Sequence, residues 1–422
     1  MLAIKTKKYI NAVIEAPPSK SYTQRALIVA SLANGKSVLK NPLFSEDTYY
    51  MIDALRQFGV KILKNNNNLI VYGTKNGFKQ SKYKIYVGNA GTTMRFITTF
   101  AALCNGTTTI TGDIRMQQRP IQDLLIALQQ LGIKSISNKG FPPVKIYGGT
   151  LNGGNIKLNG NISSQYLSSI LMCAPYAKKN ITLKITGNLT SKPYVDITLD
   201  VMNKFGINVK NLNYSAFIIK NNKKYEAKNY IIEGDASSAS YFFAAAAITK
   251  GRVMAKNINP NTKQGDIKFV DILKKMGCNV RKGKNFVEVK GARLKSVDVD
   301  MNNIPDVVPT LAVTALFAES KSYLRNIANL RFKETDRLRA LSTELKKIGG
   351  DVEEVQDGLK IKRRRLRKAI IETYNDHRMA MSFAVAGLAI SGIRIKNPNC
   401  VNKSFPDFWK KFKKLYEKWT LH

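Results

Sequence analysis

Five strings in this chain share one shape: "ALRQFGVKI" (54–62), "ALQQLGIKS" (127–135), "VMNKFGINV" (201–209), "ILKKMGCNV" (272–280) and "ELKKIGGDV" (344–352). Each reads as the closing turns of an amphipathic helix, a glycine stop and the start of a strand. The glycines, Gly59, Gly132, Gly206, Gly277 and Gly349, stand 73, 74, 71 and 72 residues apart. A sixth segment, "DFWKKFKKLY" (407–416), lies where the next helix falls due. Spacing this constant means repeated structural units, and it constrains the fold more than any single motif.

A second helix type recurs with the same period. Its members are "SKSYTQRALIVASLANG" (19–35), "AGTTMRFITTFAALCNG" (90–106), "SSQYLSSILMCAPYA" (163–177), "DASSASYFFAAAAITKG" (235–251), "PDVVPTLAVTALFAES" (305–320) and "DHRMAMSFAVAGLAISG" (376–392). They are small or apolar almost all round, the mark of helices buried on every side. One unit of about 72 residues therefore reads strand, buried helix, strand, amphipathic helix, strands. Six units predict an α/β protein of two domains with three units each, and 422 residues are ample for two.

The polar residues of the buried helices gather at their starts: Ser19-Lys20-Ser21, Gly88-Asn89-Ala90-Gly91, Ser163-Ser164-Gln165, Asp235-Ala236-Ser237-Ser238, Pro305-Asp306 and Asp376-His377-Arg378. Ser, Asp and Asn are ordinary N-caps, and capping accounts for Asp235. It does not account for Lys20, Arg25, Arg95 or Arg378, because a cation at a helix start opposes the dipole. Cations fit there when an anion sits between them and the backbone N–H groups. "QQRP" (117–120) puts Arg119 just before a proline-started helix, where anion contact again explains more than capping. "TSKPY" (190–194) and "KSFPD" (403–407) are short polar loops that say little alone. If pseudo-symmetry gathers the six starts, they frame an electropositive cleft.

"RFKETDRLRA" (331–340) sets Glu334 and Asp336 among Arg331, Lys333, Arg337 and Arg339. Lys333 and Arg337 stand at i and i+4, so a helix through both gives them one face. An arginine fork and a lysine point charge suit carboxylate or phosphate. The two acids can orient these cations, or one can move a proton. The group suggests a substrate with more than one anionic centre.

The formal net charge is +39. It fits either neutralisation of nucleic-acid phosphates or lysine drift over a solvated surface, with some cations serving an anionic small substrate. The basic residues form no single block and no aromatic-interleaved stripe. The densest run, "KRRRLRK" (362–368), is expected on a solvated strand or hairpin face. A chain that is 44% hydrophobic is not globally disordered. It has no run of about 18 uncharged apolar residues that reads as a membrane span and no legible secretory leader. Four scattered cysteines (Cys104, Cys173, Cys278 and Cys400) suit a reducing cytoplasm. With only His377 and His422, no His/Cys metal site is expected.

Together "SKSYTQRAL", "GNAGTTMR", "QQRPIQDLL", "SSQYLSSIL", "SKPYVDITL", "PDVVP", "RFKETDRL", "NDHRMAM" and "KSFPDF" closely resemble the 5-enolpyruvylshikimate-3-phosphate synthases of the enolpyruvyl transferase family, in order from about residue 18 to 410. The resemblance implies a two-domain inside-out α/β barrel of six βαβαββ repeats, three per domain. It implies a first domain over 19–232 and a second over 1–18 plus 233–422, with hinges near 15–19 and 231–235. The implied reaction joins the enolpyruvyl group of phosphoenolpyruvate to the 5-hydroxyl of shikimate 3-phosphate and releases phosphate. No cofactor and no metal are implied. The expected partners are those two substrates, with no nucleic acid and no membrane, and the expected form is a cytoplasmic monomer whose cleft closes around both ligands.

Carried over by motif, Asp306, Glu334 and Lys20 are the implied catalytic groups. Asp306 serves as base on the 5-hydroxyl, and Glu334 exchanges a proton with the methylene carbon. Shikimate 3-phosphate is assigned Lys20, Ser21, Arg25, Ser163, Ser164, Gln165, Ser191, Tyr194, Asp306, Asn329 and Lys333. Phosphoenolpyruvate is assigned Lys20, Asn89, Gly91, Arg119, Gln165, Arg337, His377, Arg378 and Lys403.

The chain departs from the family's pattern in places. Phe96 stands where proline is usual, near the phosphoenolpyruvate and glyphosate pocket, so glyphosate sensitivity is open. Tyr22 and Gln24 replace smaller polar residues, and the 362–368 run is no family motif. A related enzyme acting on UDP-N-acetylglucosamine is the nearest alternative. It usually has a cysteine in the loop before the "RP" arginine, and "TGDIRMQQRP" (111–120) has none. A basic nucleic-acid-binding α/β protein, akin to RNA 3′-phosphate cyclases, is the alternative of another class. It predicts salt-sensitive nucleic-acid affinity.

Overall fold

The structure, a computed structural model, describes residues 1–73, 77–81 and 83–417. His422 lies outside them. Two compact units make up the chain: Pro18–Ile232, and Met1–Pro17 joined with Glu233–His422.

The 18–232 unit holds α1 (Lys20–Leu32), α2 (Glu46–Gln57), α3 (Gly91–Ala101), α4 (Gln122–Gln130), α5 (Ser164–Cys173) and α6 (Lys192–Lys204). The second unit holds α7 (Ala236–Ile248), α8 (Phe269–Lys275), α9 (Val308–Ala315), α10 (Arg337–Lys347), α11 (His377–Ala389) and α12 (Phe408–Lys413). Odd-numbered helices are the small-residue, buried ones, and even-numbered helices are the amphipathic ones. In the first unit α1, α3 and α5 pack on one another; in the second α7, α9 and α11 do the same. A separate apolar core surrounds each trio. Small side chains let the helices approach closely, and large ones fill the gaps between them. Phe242 and Phe243 of α7 are fully buried, each contributing roughly 1.5–3 kcal/mol.

Five of the six sheets share one four-stranded pattern. In the first unit, strand Asn229–Ile231 runs parallel to Gly35–Lys40, which pairs antiparallel with Asn68–Gly73 and through it with Lys61–Asn65. Strands Ile85–Tyr86, Gly106–Thr111, Phe141–Gly148 and Lys134–Asn138 repeat that order, as do Gly154–Asn159, Ile181–Thr186, Ala216–Ile219 and Lys210–Leu212. In the second unit Asn11–Glu15 runs parallel to Arg252–Lys256 and completes the sheet of Phe286–Lys290 and Asn279–Gly283. Strands Asp298–Asp300, Ser322–Arg325, Gly358–Arg363 and Gly350–Val355 form the next sheet. The sixth sheet has three strands, and Leu2–Ala3 takes the place of its hairpin beside Arg394–Ile395 and Ile370–Ile371.

The five repeat glycines all sit at positive φ, between 86° and 105° for the last four and 87° for Gly59. Each ends an amphipathic helix in the backbone region that glycine enters without strain.

Local expectations changed in four places. Lys333 and Arg337 do not share a helix face: Asp336 caps α10, its Oδ1 accepting from the Arg339 N–H at 3.1 Å, so the helix begins only at Arg337. The fifth buried helix opens with a 3-10 turn, Pro305–Val307, before α9 begins. Helix α4 starts at Gln122 rather than at Pro120. Of the basic run, exposed Lys362 and Arg363 finish a hairpin strand whose other residues are largely buried, and the rest follows outside any strand. Among the described residues, no helix is long and apolar enough to cross a membrane.

Candidate active site

In the 18–232 unit the helix starts carry the candidate residues. Ser19 caps α1 by accepting from the Tyr22 N–H at 3.4 Å, which places Lys20 and half-buried Ser21 in the first turn. Lys20 Nζ lies 3.3 Å from Asp47 Oδ2. The backbone carbonyl of Asp47 accepts from Gln24 Nε2 at 2.8 Å and Thr93 Oγ1 at 3.2 Å, tying the starts of α1, α2 and α3 together. Gln24 is thus a strut between helices, while Tyr22 reaches Asp200 Oδ2 at 3.3 Å.

Arg25 lies one turn further along α1 and is 1% exposed. Its Nε donates to Thr198 Oγ1 at 2.7 Å, Nη1 to Ser21 O at 3.0 Å, and Nη2 to Tyr194 O at 3.0 Å and Ser168 Oγ at 3.4 Å. Among the described residues no carboxylate pairs with it, and burial pulls its pKa down to about 10. A buried cation held only by neutral dipoles is costly, so it points to an anionic ligand.

The start of α3 forms a second cluster. Arg119 Nη1 donates to Asn89 O at 3.1 Å and Asn89 Oδ1 at 3.0 Å, and Arg95 Nη1 donates to Gly91 O at 3.0 Å. A Cβ on Gly91 would lie 2.5 Å from Arg119 Nη2 and 2.7 Å from Arg95 Nη1, so any larger residue would push these guanidiniums aside. Gln165 Nε2 donates to Thr92 Oγ1 at 3.1 Å, while Ser163 caps α5 by accepting from the Gln165 N–H at 3.2 Å. Ser164 lies beside it on α5. Ser191 stands before α6 at φ 57°, and half-buried Tyr194 follows in the first turn. Among the described residues the Ser164 and Ser191 hydroxyls bond no other candidate.

The second unit concentrates charge on two arginines. Arg337 and Asp376 are 1% and 0% exposed. Arg337 Nε donates to Asp376 Oδ2 at 2.7 Å, Nη2 to Glu334 Oε2 at 2.8 Å and Asp376 Oδ1 at 3.3 Å, and Nη1 to Asp306 Oδ1 at 3.4 Å. Burial pulls the Arg337 pKa down, but Asp376, Glu334 and Asp306 outweigh it, so the guanidinium ends above its ordinary value. Arg378 Nη2 donates to Asp306 Oδ2 at 2.7 Å and its Nη1 to Tyr241 Oη at 3.3 Å. Asp376 also caps α11, accepting from the Arg378 N–H at 2.9 Å. Buried His377 sits with Nδ1 3.6 Å from Asp376 Oδ1. Asn329 and Lys333 come from the 3-10 turn Ala328–Phe332 and its end, and Lys403 closes the turn Pro398–Lys403. Asn329 Oδ1 is buried without a hydrogen-bond partner among the described residues, an acceptor suited to a ligand hydroxyl.

Sequence reasoning passed over Asp47, Tyr241 and Asp266. Asp47 is a first-turn acid of α2, and Tyr241 lies in the apolar core. Asp266, in the 3-10 turn Gly265–Lys268, accepts from the Ser237 hydroxyl. Burial first, and the charge of Asp306 second, push its carboxyl up to about 7, against the pull of Arg378. Nothing in its local sequence marks it.

Within the second unit, two carboxylates share Arg337 and one of them also meets Arg378, a set that can hold an anionic group and move protons at it. The family model for EPSP synthase (3-phosphoshikimate 1-carboxyvinyltransferase) matches residues 4–412. A 3-phosphoshikimate 1-carboxyvinyltransferase of Buchnera aphidicola subsp. Schizaphis graminum is 47% identical over 421 residues, 98% of each chain. One from Shewanella halifaxensis is 44% identical over 98% of this chain and 99% of its own. Among solved structures, EPSP synthase from Acinetobacter baumannii superposes with a TM-score of 0.81 at 28% identity, covering 98% of this chain and 97% of that one. A family match over nearly the whole chain, with relatives 44–47% identical along 98% of it, means that the chain belongs to the EPSP synthase (3-phosphoshikimate 1-carboxyvinyltransferase) family.

Proposed function

We infer that this chain transfers the enolpyruvyl group of phosphoenolpyruvate to the 5-hydroxyl of shikimate 3-phosphate, releasing phosphate. The observation that carries the reading is the sharing of Arg337 by Glu334 and Asp306, with Arg378 on Asp306 as well. Both proton-handling candidates thus sit against cations suited to a substrate carboxylate or phosphate.

Glu334, protonated, gives its proton to the methylene carbon of phosphoenolpyruvate. Asp306 takes the proton of the 5-hydroxyl as that oxygen bonds the neighbouring carbon, giving a tetrahedral intermediate. Glu334 then removes a proton from the new methyl group, the bond to the phosphate oxygen breaks, and phosphate leaves with the proton held by Asp306. Lys20 shares the proton work. Arg119, Arg337, Arg378 and Lys403, with Lys20, Asn89, Gly91, Gln165 and His377, take the phosphoenolpyruvate charges. Ser21, Arg25, Ser163, Ser164, Ser191, Tyr194, Asn329 and Lys333, with Lys20, Gln165 and Asp306, take shikimate 3-phosphate. Hinges near 15–19 and 231–235, a monomeric state and a cytoplasmic setting complete the reading. Four buried cysteines, far apart in sequence, agree with a reducing compartment.

Phosphate release from phosphoenolpyruvate tests it, with shikimate 3-phosphate in one reaction and UDP-N-acetylglucosamine in another. Release in the first alone is expected. Release only in the second, or in neither, overturns the assignment.

A further inference from the structure

Arg25 presents an electrostatic problem that its hydrogen bonds do not solve. Four of its five N–H groups are taken by Thr198, Ser21, Ser168 and Tyr194, all neutral acceptors. What faces the charge instead is aromatic. The Arg25 Cζ lies 5.3 Å from the centroid of the Phe96 ring and 6.0 Å from that of Tyr194. Cation–π attraction acts within about 6 Å of a centroid and strengthens when the pair is desolvated. Phe96 is fully buried in the first turns of α3, so its ring is fixed by packing from the neighbouring helices.

We propose that the Phe96 ring is a stand-in for the substrate anion, holding the Arg25 guanidinium in place until a phosphorylated carboxylate binds. Phe96 is thus a positioning residue acting through Arg25. The proposal rests on the reading of Arg25 as a shikimate 3-phosphate contact, and it adds a thermodynamic sign. A bare guanidinium attracts the negative face of the ring strongly. Once paired with an anion, the ion pair carries little net charge, and the attraction weakens. The ring therefore stabilises the free protein more than the complex, and weakening its quadrupole tightens substrate binding while loosening the free fold. A ring that served only as packing would have no such preference.

Replacing Phe96 by mono-, di- and trifluorophenylalanine grades the quadrupole at nearly constant shape. The free protein should melt progressively lower, by about 2–4 °C at the trifluoro step. With saturating shikimate 3-phosphate the fall should be less than half as large. The dissociation constant for shikimate 3-phosphate should drop about threefold, the same free energy read a second way. Equal falls with and without the ligand, no fall at all, or a dissociation constant that rises would each overturn the proposal. If the unmodified protein neither releases phosphate nor is stabilised by shikimate 3-phosphate, the functional reading fails instead. The fluorine series is then run with inorganic phosphate as the anion and judged by the same signs.

Discussion

Asp376→Asn separates a charge from a cap at one position. The carboxylate makes contacts of 2.7 and 3.3 Å with Arg337 and accepts the Arg378 N–H at 2.9 Å. Asn caps a helix about as well as Asp, so the last contact survives the substitution. What is lost is an ion pair between residues 1% and 0% exposed. Breaking a buried pair by removing one partner costs about 3–5 kcal/mol, because the other charge is left uncompensated. Arg337 keeps Glu334 and Asp306, which puts the expected loss near the low end, about 3 kcal/mol. In a unit of this size that is a fall of about 6–12 °C in Tm, at 2–4 °C per kcal/mol. Asp376→Ala should lose about 1 kcal/mol more, the cap itself. Calorimetry and urea titration of both variants check this. A loss under about 1 kcal/mol for Asp376→Asn would mean that the charge is not what holds this cluster, and a loss equal to that of Asp376→Ala would mean that the cap adds nothing or that Asn does not keep it; either result refutes the reasoning.

Glu334→Gln and Asp306→Asn should each lower kcat by about 10²–10⁴-fold with KM little changed, as loss of a proton-transfer group does; steady-state kinetics with near-normal kcat removes that residue from the catalytic set. Gly91→Ala forces Arg119 and Arg95 aside, since a Cβ would sit 2.5 and 2.7 Å from their guanidinium nitrogens. KM for phosphoenolpyruvate should rise about tenfold, roughly 1.4 kcal/mol, and that for shikimate 3-phosphate far less. Asp266 has a raised pKa of about 7 in the fold, against about 3.9 in the unfolded chain. The folded state therefore holds this proton more tightly, and its stabilising contribution is full below pH 4 and lost as pH rises through 7. Asp266→Asn should flatten that part of the stability–pH curve, read as urea midpoints between pH 5 and 8; an unchanged slope refutes it.

The repeat was legible because it rests on backbone chemistry. Glycine after an amphipathic run stops a helix wherever it occurs, and five such glycines at even spacing announce five similar corners. The cations at helix starts were legible for a related reason, since a positive charge there needs an explanation. What stayed hidden depends on distance through space. Nothing near Asp47 in sequence says that it meets Lys20, and nothing near Asp266 says that Asp306 acts on it. The run "KETDR" (333–337) misled in one respect: Asp336 is strong enough as a cap to begin a helix that the i, i+4 rule had started earlier. The roles given to individual residues rest on the family's motifs and on the geometry within each unit, and the mutants above test them.

The strands Leu2–Ala3 and Asn11–Glu15 belong to sheets whose other members begin at Ile370 and Arg252. During synthesis they emerge long before those partners and wait. At about 5–20 residues per second, Asn11–Glu15 stays without its partner for roughly 12–48 s. The 18–232 unit needs nothing from later in the chain and is free to fold in that interval. The order of birth is thus not the order of completion: these two strands are made before the 18–232 unit and find their places after it. Newly made chains should be most open to proteases and chaperones at their N-terminus, and a truncation of about fifteen residues should leave two sheet edges bare in the second unit while sparing the first.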